Sequence, residues 1–331
     1  MRQHVWLLLV LLLWSAPALG QVTSVQSGDW FAPSTWQGGV VPDADDPETV
    51  IAAGHTVSAS RTASSVMDAG CLVKVYGTLD LGTATSPIPA AVTHDLVFRL
   101  SQAEAAAFVG GGLFVPTDCG VWVFAGGRWD VHGAPKVRTW AWLAGDVASG
   151  AATVDLDGFV GDWPVGGSVV ITTTAMPLGI SVADSRENDE KSEIRTILTA
   201  GGSMLTLDMP LSFAHEGIGA DGLAAAVGLL SHNVTIRTEL DGLTDINDVR
   251  QRLFACTRFM PNTDGTTIGT GGGAGDLQYA AFVRMGHYGA NGCYPVHYHR
   301  LGESARGRVI RGVSVVESGF RCINVHESNG V

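Results

Sequence analysis

The chain has few positive charges and no closely spaced pair of cysteines. Its 331 residues include 20 Lys and Arg against 32 Asp and Glu, which gives a formal net charge of -12. A surface that binds nucleic acid must be basic to neutralise phosphates, so this composition argues against nucleic acid as a partner. The cysteines form no C-x-x-C pair, which argues against a zinc ribbon and against a thioredoxin-like redox motif.

Long apolar runs are also missing after the first twenty residues. The chain opens with Arg2, an apolar run from Val5 to Leu13, and a small-residue stretch that ends at Gly20. This pattern is typical of a secretory signal, and the run is too short to cross a hydrocarbon core of ~30 Å as a helix. We predict a signal peptide over residues 1–20, a mature chain that is secreted or at the extracellular cell surface, and no transmembrane helix in this chain.

The number of cysteines is odd, which matters in an oxidising compartment where disulfides are the default. The cysteines are Cys71, Cys119, Cys256, Cys293 and Cys322. One thiol therefore stays free, pairs with another chain, or has lost its partner to truncation. The last alternative is favoured by the end of the chain at Val331, inside a strand-like pattern.

Helical periodicity is scarce, and short apolar runs alternate with Gly, Pro, Asp and Asn. Examples are Leu72–Leu81, Ser168–Thr173 and Val309–Val316. This alternation of short apolar runs and turn-forming residues predicts an all-β protein. One exception is Ser101-x-x-Glu104 before an alanine-rich run, which predicts a capping box and a short helix.

Two tryptophans, Trp30 and Trp36, stand among proline and glycine turns near the start of the mature chain. We interpret them as buried anchors that hold loops on a β core, with a sugar-stacking role as the less favoured alternative. They belong to a W-x(5)-W-x-G-G-x-x-P pattern that ends at Pro42 and is followed by V-I-x-x-G-H-T-V over residues 50–57. This pair of motifs resembles the opening of the eight-glycine (G8) domain of cell-surface hyaluronidases, hyaluronan-binding proteins and fibrocystin.

The resemblance continues in order along nearly the whole mature chain. The segments that carry it are His132–Lys136, Asp162–Ile171, Glu193–Ile197, Val227–Ile236, Tyr294–His299 and Arg321–Gly330. It implies an all-β fold, with a G8 β-rich domain over residues 21–135 and a β-rich connecting region over 136–225. A right-handed, pectate-lyase-like parallel β-helix would follow over 226–331, truncated at its C-terminus.

Histidines near the end of the chain are the candidate site. His297 and His299 are two residues apart, so in a strand they project from the same face. In a stacked solenoid, His326 can lie one coil away beside them. Together with Glu303, these histidines are the candidate catalytic residues, and His287 is nearby in sequence.

The resemblance implies a protein that binds, and in its hyaluronidase-like members depolymerises, an extracellular anionic glycan such as hyaluronan. Cleavage needs a proton donor together with a carboxylate nucleophile, a base-activated water, or a base that abstracts a ring proton. Glu303 is the carboxylate closest to the histidines in sequence, and Arg321 and Arg300 are candidate ligands for the glycan's carboxylates. The alternative is a non-catalytic, fibrocystin-like receptor or adhesion module. Two departures from the hyaluronidase-like pattern, Tyr298 in place of Phe and the turn that ends at Glu303, weaken the case for catalysis.

Two kinds of metal site remain open at this stage. The first uses His297, His299 and His326 as ligands for a divalent transition metal. The second is a calcium site with oxygen ligands, which the acidic cluster of Asp241, Asp245 and Asp248 can provide.

The triplet Asn233-Val234-Thr235 is an acceptor for N-glycosylation in a secreted protein. If Val234 and Ile236 point inward, Asn233 faces out and can be modified.

Overall fold

The computed structural model describes residues 20–111, 113–174, 191–219, 222–240, 249–262 and 271–331. Residues 1–19 of the predicted signal peptide lie outside this part of the chain. So do Asp241, Asp245 and Asp248, the predicted calcium ligands.

Short β-strands make up most of the described structure, as the sequence predicts. In chain order they are β1 (Val22–Thr23), β2 (Gly28–Asp29), β3 (Glu48–Ile51), β4 (Thr56–Ser58), β5 (Ser65–Asp68), β6 (Leu72–Val75), β7 (Thr78–Leu81), β8 (His94–Leu100), β9 (Gly120–Val123), β10 (Arg128–His132), β11 (Trp140–Trp142), β12 (Thr153–Asp155), β13 (Ser168–Ile171), β14 (Glu193–Gly201), β15 (Met204–Leu207), β16 (Ala226–Leu229), β17 (Val234–Leu240), β18 (Cys256–Phe259), β19 (Leu277–Gln278), β20 (Ala281–Val283), β21 (Val296–Gly302), β22 (Ile310–Arg311), β23 (Ser314–Val316) and β24 (Ile323–Ser328).

Helices are short. Among the described residues, one α-helix, α1, spans Gln102–Ala106, and 3-10 turns span Pro33–Thr35, Gln37–Gly39, Val249–Gln251 and Glu303–Ala305. The predicted capping box at α1 is confirmed, because the Ser101 hydroxyl accepts from the Glu104 amide and the Glu104 carboxylate accepts from the Ser101 amide. Within the described ranges, no helix has the length and apolar character needed to cross a bilayer.

Most of the described strands form parallel sheets that stack coil upon coil. One sheet has the order β1-β3-β6-β9-β18-β21-β24, a second has β2-β4-β7-β10-β19-β22, and a third has β5-β8-β17-β20-β23. The chain visits the three sheets in turn, for example through β6, β7 and β8. This is the arrangement of a parallel β-helix, so the predicted fold class is confirmed.

The same three sheets contain strands from both ends of the chain. Strand β18 pairs with β9, and β17 pairs with β8. The parallel coils therefore begin well before residue 226, the predicted start of the β-helix. The described residues of the predicted connecting region, 136–225, form a separate antiparallel sheet together with β16, which the prediction placed in the β-helix. The order of this sheet is β11-β16-β13-β14-β15-β12, and it is inserted between β10 and β17 of one coil.

The core lies inside the coils, where equivalent residues of successive strands stack. One such column runs from Val75 through Val123, Phe259 and Tyr298 to Val325. The rings of Phe259 and Tyr298 are stacked with centroids 4.4 Å apart. The antiparallel sheet has its own smaller core, which includes Trp163.

Trp30 and Trp36 are anchors, as the sequence predicts. Both are buried, at 0% and 1% exposure, and their rings meet edge to face with centroids 5.3 Å apart. The indole nitrogen of Trp36 donates to the carbonyl of Trp30. Burial leaves these rings no surface on which a sugar can stack.

The predicted disulfides are confirmed. Cys71 is bonded to Cys119, and Cys256 is bonded to Cys293. Cys322 is the free cysteine and is exposed.

Candidate functional site

The parallel pairing of β21 with β24 brings the predicted histidines together. His299 is the direct neighbour of His326, and His297 is the neighbour of Asn324. Because alternate residues of a strand share a face, the imidazoles of His297, His299 and His326 project from the outer face of the sheet as one group. We call these three residues the histidine cluster. His297 and His299 are buried, whereas His326 is exposed.

The ring nitrogens of the histidine cluster converge. His297 Nε2 lies 3.3 Å from His299 Nδ1, which lies 3.4 Å from His326 Nδ1. One nitrogen from each of the three rings lies within 4.8 Å of the others. A tetrahedral metal with bonds of 2.0–2.1 Å to imidazole requires nitrogens about 3.3–3.4 Å apart, and two of the pairs already have that separation.

Neighbouring acceptors set the orientation of two of the rings. His297 Nδ1 donates to the carbonyl oxygen of Gly292 at 2.8 Å, which leaves Nε2 as the nitrogen that can accept or coordinate. On the other side, His326 Nε2 lies 3.3 Å from Glu327 Oε1, so that its Nδ1 faces the cluster. A carbonyl or carboxylate that holds the second ring nitrogen is the usual support of a metal-binding histidine.

His297 is neutral at physiological pH. Burial, reinforced by the positive charge of Arg258 and by the neighbouring His299, lowers the pKa of His297 to about 2. The ring therefore does not have to lose a proton before its Nε2 binds a metal.

Arg258 lies beneath the histidine cluster, on the neighbouring coil. Phe259 pairs with Tyr298, so Arg258 stands beside His297 on the outer face of the sheet. Its guanidinium lies over the Trp122 ring at 4.5 Å, and its Nε donates to the carbonyl of Gly292 at 2.7 Å. Although this face points outward, Arg258 is fully buried, and burial lowers its pKa to about 10.

The segment that precedes β9 covers this part of the outer face. Phe114 packs edge to face on Trp122 with centroids 4.9 Å apart, and the carbonyl of Leu113 accepts from Arg258 Nη1. Asp118 is fully buried, accepts from the amides of Val109 and Gly110, and lies 3.8 Å from Arg258 Nη2. The buried guanidinium thus has its counter-charge within the same covering segment.

The histidine cluster opens onto a cavity of about 200 Å³, which we call the histidine cavity. It is lined by Gly111, Asn291, Gly292, Tyr294, His297, His299, Asn324 and His326. Gly292 has a φ of 84°, and a Cβ there would lie 2.5 Å from the carbonyl oxygen of Gly111. Only glycine therefore allows the two loops to approach this closely.

Arg321 lies beside the histidine cavity, above an aromatic cluster. Its guanidinium carbon is 6.0 Å from the Tyr294 ring centre and 5.7 Å from the Phe320 ring centre. The Phe320 ring stacks on Tyr294 and meets the partly exposed Tyr288 edge to face. Aromatic rings with an arginine form a surface suited to an acidic sugar.

The other predicted site residues lie elsewhere. Glu303 is exposed in the turn after β21, where it bonds to Arg306 and Asn329, and these contacts lower its pKa. Arg300 pairs with Glu327 and therefore reaches the cluster only through the carboxylate that faces His326. His287 is buried and stacks on Phe108, away from the cavity lining.

The side chain of Asn233, the predicted glycan acceptor, is held by loop contacts. Its Nδ2 donates to the carbonyls of Ile88, Pro89 and Val92, and its Oδ1 accepts from the Ala134 amide. The amide nitrogen that would carry the glycan is fully used in holding these loops together. The residues next to it do alternate as predicted, with Val234 and Ile236 buried.

Sequence reasoning missed Arg258, Asp118 and Gly292. None belongs to a recognisable motif, and each acts through contacts between segments far apart in the chain. The one available signal is Arg258 itself, a charged residue inside the largely apolar run from Leu253 to Met260.

Comparisons with known proteins agree with this architecture. The CEMIP beta-helix family matches residues 265–331. A G8 domain-containing protein of Dictyostelium discoideum is 25% identical over 321 residues, covering 91% of this chain. Fibrocystin-L of Homo sapiens is 27% identical over 289 residues, covering 78% of this chain. The chain is therefore similar to G8 domain-containing proteins over most of its length and to the CEMIP beta-helix at its C-terminal end.

The resemblance to G8 proteins noted in the sequence is thereby confirmed. The chain spans 21% of the length of the Dictyostelium relative and 6% of the length of Fibrocystin-L. Among solved structures, the tailspike gp61 of Pseudomonas phage phi297 is similar, with 11% identity and a TM-score of 0.26, covering 81% of this chain and 35% of that chain.

Proposed function

We propose that this protein holds a divalent transition metal at the histidine cluster. The observation that carries the proposal is the convergence of one nitrogen from each of His297, His299 and His326 within 4.8 Å. The partners of His297 and His326 support it, since they hold one nitrogen of each ring and leave the other nitrogen facing the cluster. Three histidines would be the protein ligands of such a metal, which is the ligand number of many catalytic zinc sites.

Metal analysis tests this proposal directly. Protein is purified without chelator from the medium of secreting cells, and its metal content is measured by elemental mass spectrometry. We expect about one equivalent of a transition metal per chain. The variant His326→Ala should lose the metal, because it lacks one of the three ligands. Since the His326 side chain is exposed, its removal should not disturb the core. Asn324→Ala is the matched control, since Asn324 lies on the same strand and lines the same cavity without an imidazole.

Cobalt provides a second readout. Co²⁺ added to chelator-treated protein should give the visible absorption of a nitrogen-coordinated ion, and His326→Ala should weaken it. Absence of both native metal and cobalt uptake would show that the three rings form only a hydrogen-bonded cluster.

The wall around the histidine cavity is proposed to bind an extracellular acidic glycan such as hyaluronan. The exposed Arg321 beside the partly buried Phe320 supports this function, because the guanidinium can pair with a uronate while the Phe320 ring contacts the sugar face. We also propose that the protein is extracellular, because its first twenty residues resemble a secretory signal and the proposed glycan ligand is extracellular.

Binding is tested by electrophoresis through gels that contain size-defined hyaluronan or, as a neutral control, dextran. Hyaluronan should retard the protein and dextran should not do so to the same degree. Arg321→Ala should relieve the retardation, whereas Arg311→Ala, an exposed arginine on β22, should not. If both variants lost the same amount of retardation, the net charge alone would control the migration.

Depolymerisation is a separate question, because Glu303 lies outside the cavity lining and pairs with Arg306 and Asn329. A zinc ion held by His297, His299 and His326 would supply an activated water for cleavage, since zinc can lower the pKa of a bound water to about 7. Hyaluronan chain length should then fall with time, and a chelator or His326→Ala should stop the fall. Loss of cleavage in Glu303→Ala would instead support the carboxylate mechanism.

The alternative function is that of a non-catalytic receptor or adhesion module, and the similarity to Fibrocystin-L is the reason to test it. Retardation by hyaluronan with unchanged chain length, in the presence of bound metal, would support this function over an enzyme.

A further inference from the structure

Two tryptophans are exposed side by side on the antiparallel sheet, outside the parallel coils. Trp140 and Trp142 lie at the two ends of β11, an edge strand of that sheet. They are 52% and 39% exposed, whereas Ala141 between them is buried in the core of the sheet. Both indoles therefore project from one face of the strand toward solvent.

This exposure sets the two residues apart from the other tryptophans of the described chain. The others are Trp30, Trp36, Trp122, Trp129 and Trp163, and all are buried. Adjacent exposed indoles are unfavourable in water, so a pair of them on one face indicates a surface that a partner covers.

The neighbouring strand leaves the rings uncovered. In the antiparallel pairing of β11 with β16, Trp140 is opposite Gly228 and Trp142 is opposite Ala226. Opposite residues share a face of the sheet, and neither Gly228 nor Ala226 has a side chain large enough to cover an indole. The two rings meet edge to face with centroids 5.1 Å apart, and together form a corner that we call the tryptophan shelf.

A polar pair lies at the rim of the tryptophan shelf. Arg138 donates to Asp157 at 3.1 Å, and the same carboxylate oxygen accepts from the Trp142 amide at 3.0 Å. Through this last bond the pair is attached to β11, the strand that contains both indoles. The pair is partly exposed and has no net charge.

We propose that the tryptophan shelf binds the pyranose rings of a saccharide chain. The C–H face of a sugar ring packs on an indole, and its hydroxyl groups bond to Arg138 and Asp157. Because the rim pair is neutral, this surface accepts neutral and acidic sugars alike, unlike the wall beside Arg321. The proposal does not depend on the histidine cluster.

The test measures binding of two size-defined oligosaccharides by calorimetry, one from hyaluronan and one from a neutral β-linked glucan. The full chain should bind the neutral oligosaccharide. Trp140→Ala and Trp142→Ala should each weaken this binding about tenfold, as expected for aromatic hot-spot residues. His326→Ala should leave it unchanged, which separates this proposal from the function proposed for the cavity.

A second variant covers the shelf without removing an indole. A Cβ at Gly228 would meet nothing closer than Val170 Cγ1 at 3.4 Å, so Gly228→Leu can fold and place its side chain beside Trp140. It should weaken binding as strongly as Trp140→Ala. Phe31→Ala is the control, because Phe31 is 41% exposed on the coils.

Three results would overturn the proposal. They are the absence of neutral-sugar binding, equal binding by the shelf variants and the control, and self-association of the chain that Trp140→Ala abolishes in sedimentation experiments. The last would identify a second copy of the chain as the occupant of the shelf.

Discussion

His297 and Arg258 share a single hydrogen-bond acceptor, the carbonyl oxygen of Gly292. His297 Nδ1 lies 2.8 Å from this oxygen, and Arg258 Nε lies 2.7 Å from it. The two donors come from neighbouring coils, so the loop that contains Gly292 links the buried guanidinium to the histidine cluster. The same contact selects the nitrogen of His297 that faces the other imidazoles.

Replacement of Arg258 is predicted to destabilise the fold strongly. Arg258→Gln removes the positive charge that faces the fully buried Asp118, and an uncompensated buried charge costs about 3–5 kcal/mol. Urea unfolding of the variant and the wild type measures the loss.

The control for this prediction is Arg300→Gln. Arg300 and Glu327 form a partly exposed ion pair, which contributes less than about 1 kcal/mol. Similar losses in both variants would contradict the importance that we assign to the buried pair.

Stability is predicted to fall as the pH drops from 7 to 5. Burial is the main cause that lowers the pKa of His297 to about 2, and those of His287 and His232 to about 4. These rings stay neutral in the folded chain but take up a proton near pH 6.5 when it unfolds, so acid favours unfolding. Each contributes a loss of up to about 1.4 kcal/mol per pH unit below 6.5.

The pH prediction is checked by urea midpoints between pH 7.5 and pH 5, with chelator present to remove metal. His297→Asn should reduce the slope, because the variant lacks one of the three groups. A midpoint that stays constant over this range would disprove the assignment of neutral buried histidines.

Asn233→Ala is predicted to destabilise the chain by about 2–4 kcal/mol, because it breaks hydrogen bonds to Ile88, Pro89, Val92 and Ala134. Thr235→Ala also removes the glycosylation triplet but leaves those bonds in place, so its thermal midpoint should change much less. Secreted wild type and Thr235→Ala should have the same mobility before and after glycosidase treatment. A glycan on Asn233 in the folded protein would refute this reading of its side chain.

Tyr298→Phe, which restores the residue usual in the hyaluronidase-like motif, is predicted to cost about 1 kcal/mol. The buried Tyr298 hydroxyl donates to the carbonyl of Gly275 at 2.9 Å, and phenylalanine leaves that carbonyl without the bond. The ring points into the core, opposite to the histidine cluster, so the metal content should not change. Loss of metal in this variant would place the tyrosine in the site.

Particular residues show how far sequence reasoning reached. The two-residue spacing of His297 and His299 was sufficient to predict a shared face, because alternation is a property of any strand. Glu303 was selected because it is close to the histidines in sequence. In the structure it follows β21 directly, but its carboxylate pairs with Arg306 and Asn329 and does not line the histidine cavity. The acceptor triplet at Asn233 gave the correct alternation of its neighbours, but it gave no sign of the four loop contacts made by its amide.

Local pattern by itself determined the all-β character, the short helix at Ser101 and the common face of two histidines, because each depends on neighbours a few residues apart. Only the tertiary structure decided that His326 pairs with His299, that Arg258 lies beside His297, and that Trp140 and Trp142 remain uncovered. These contacts depend on the register between coils and between strands. That register is set by loop lengths, by the inserted sheet and by the stacking of the inner columns, none of which is encoded in a short stretch of residues.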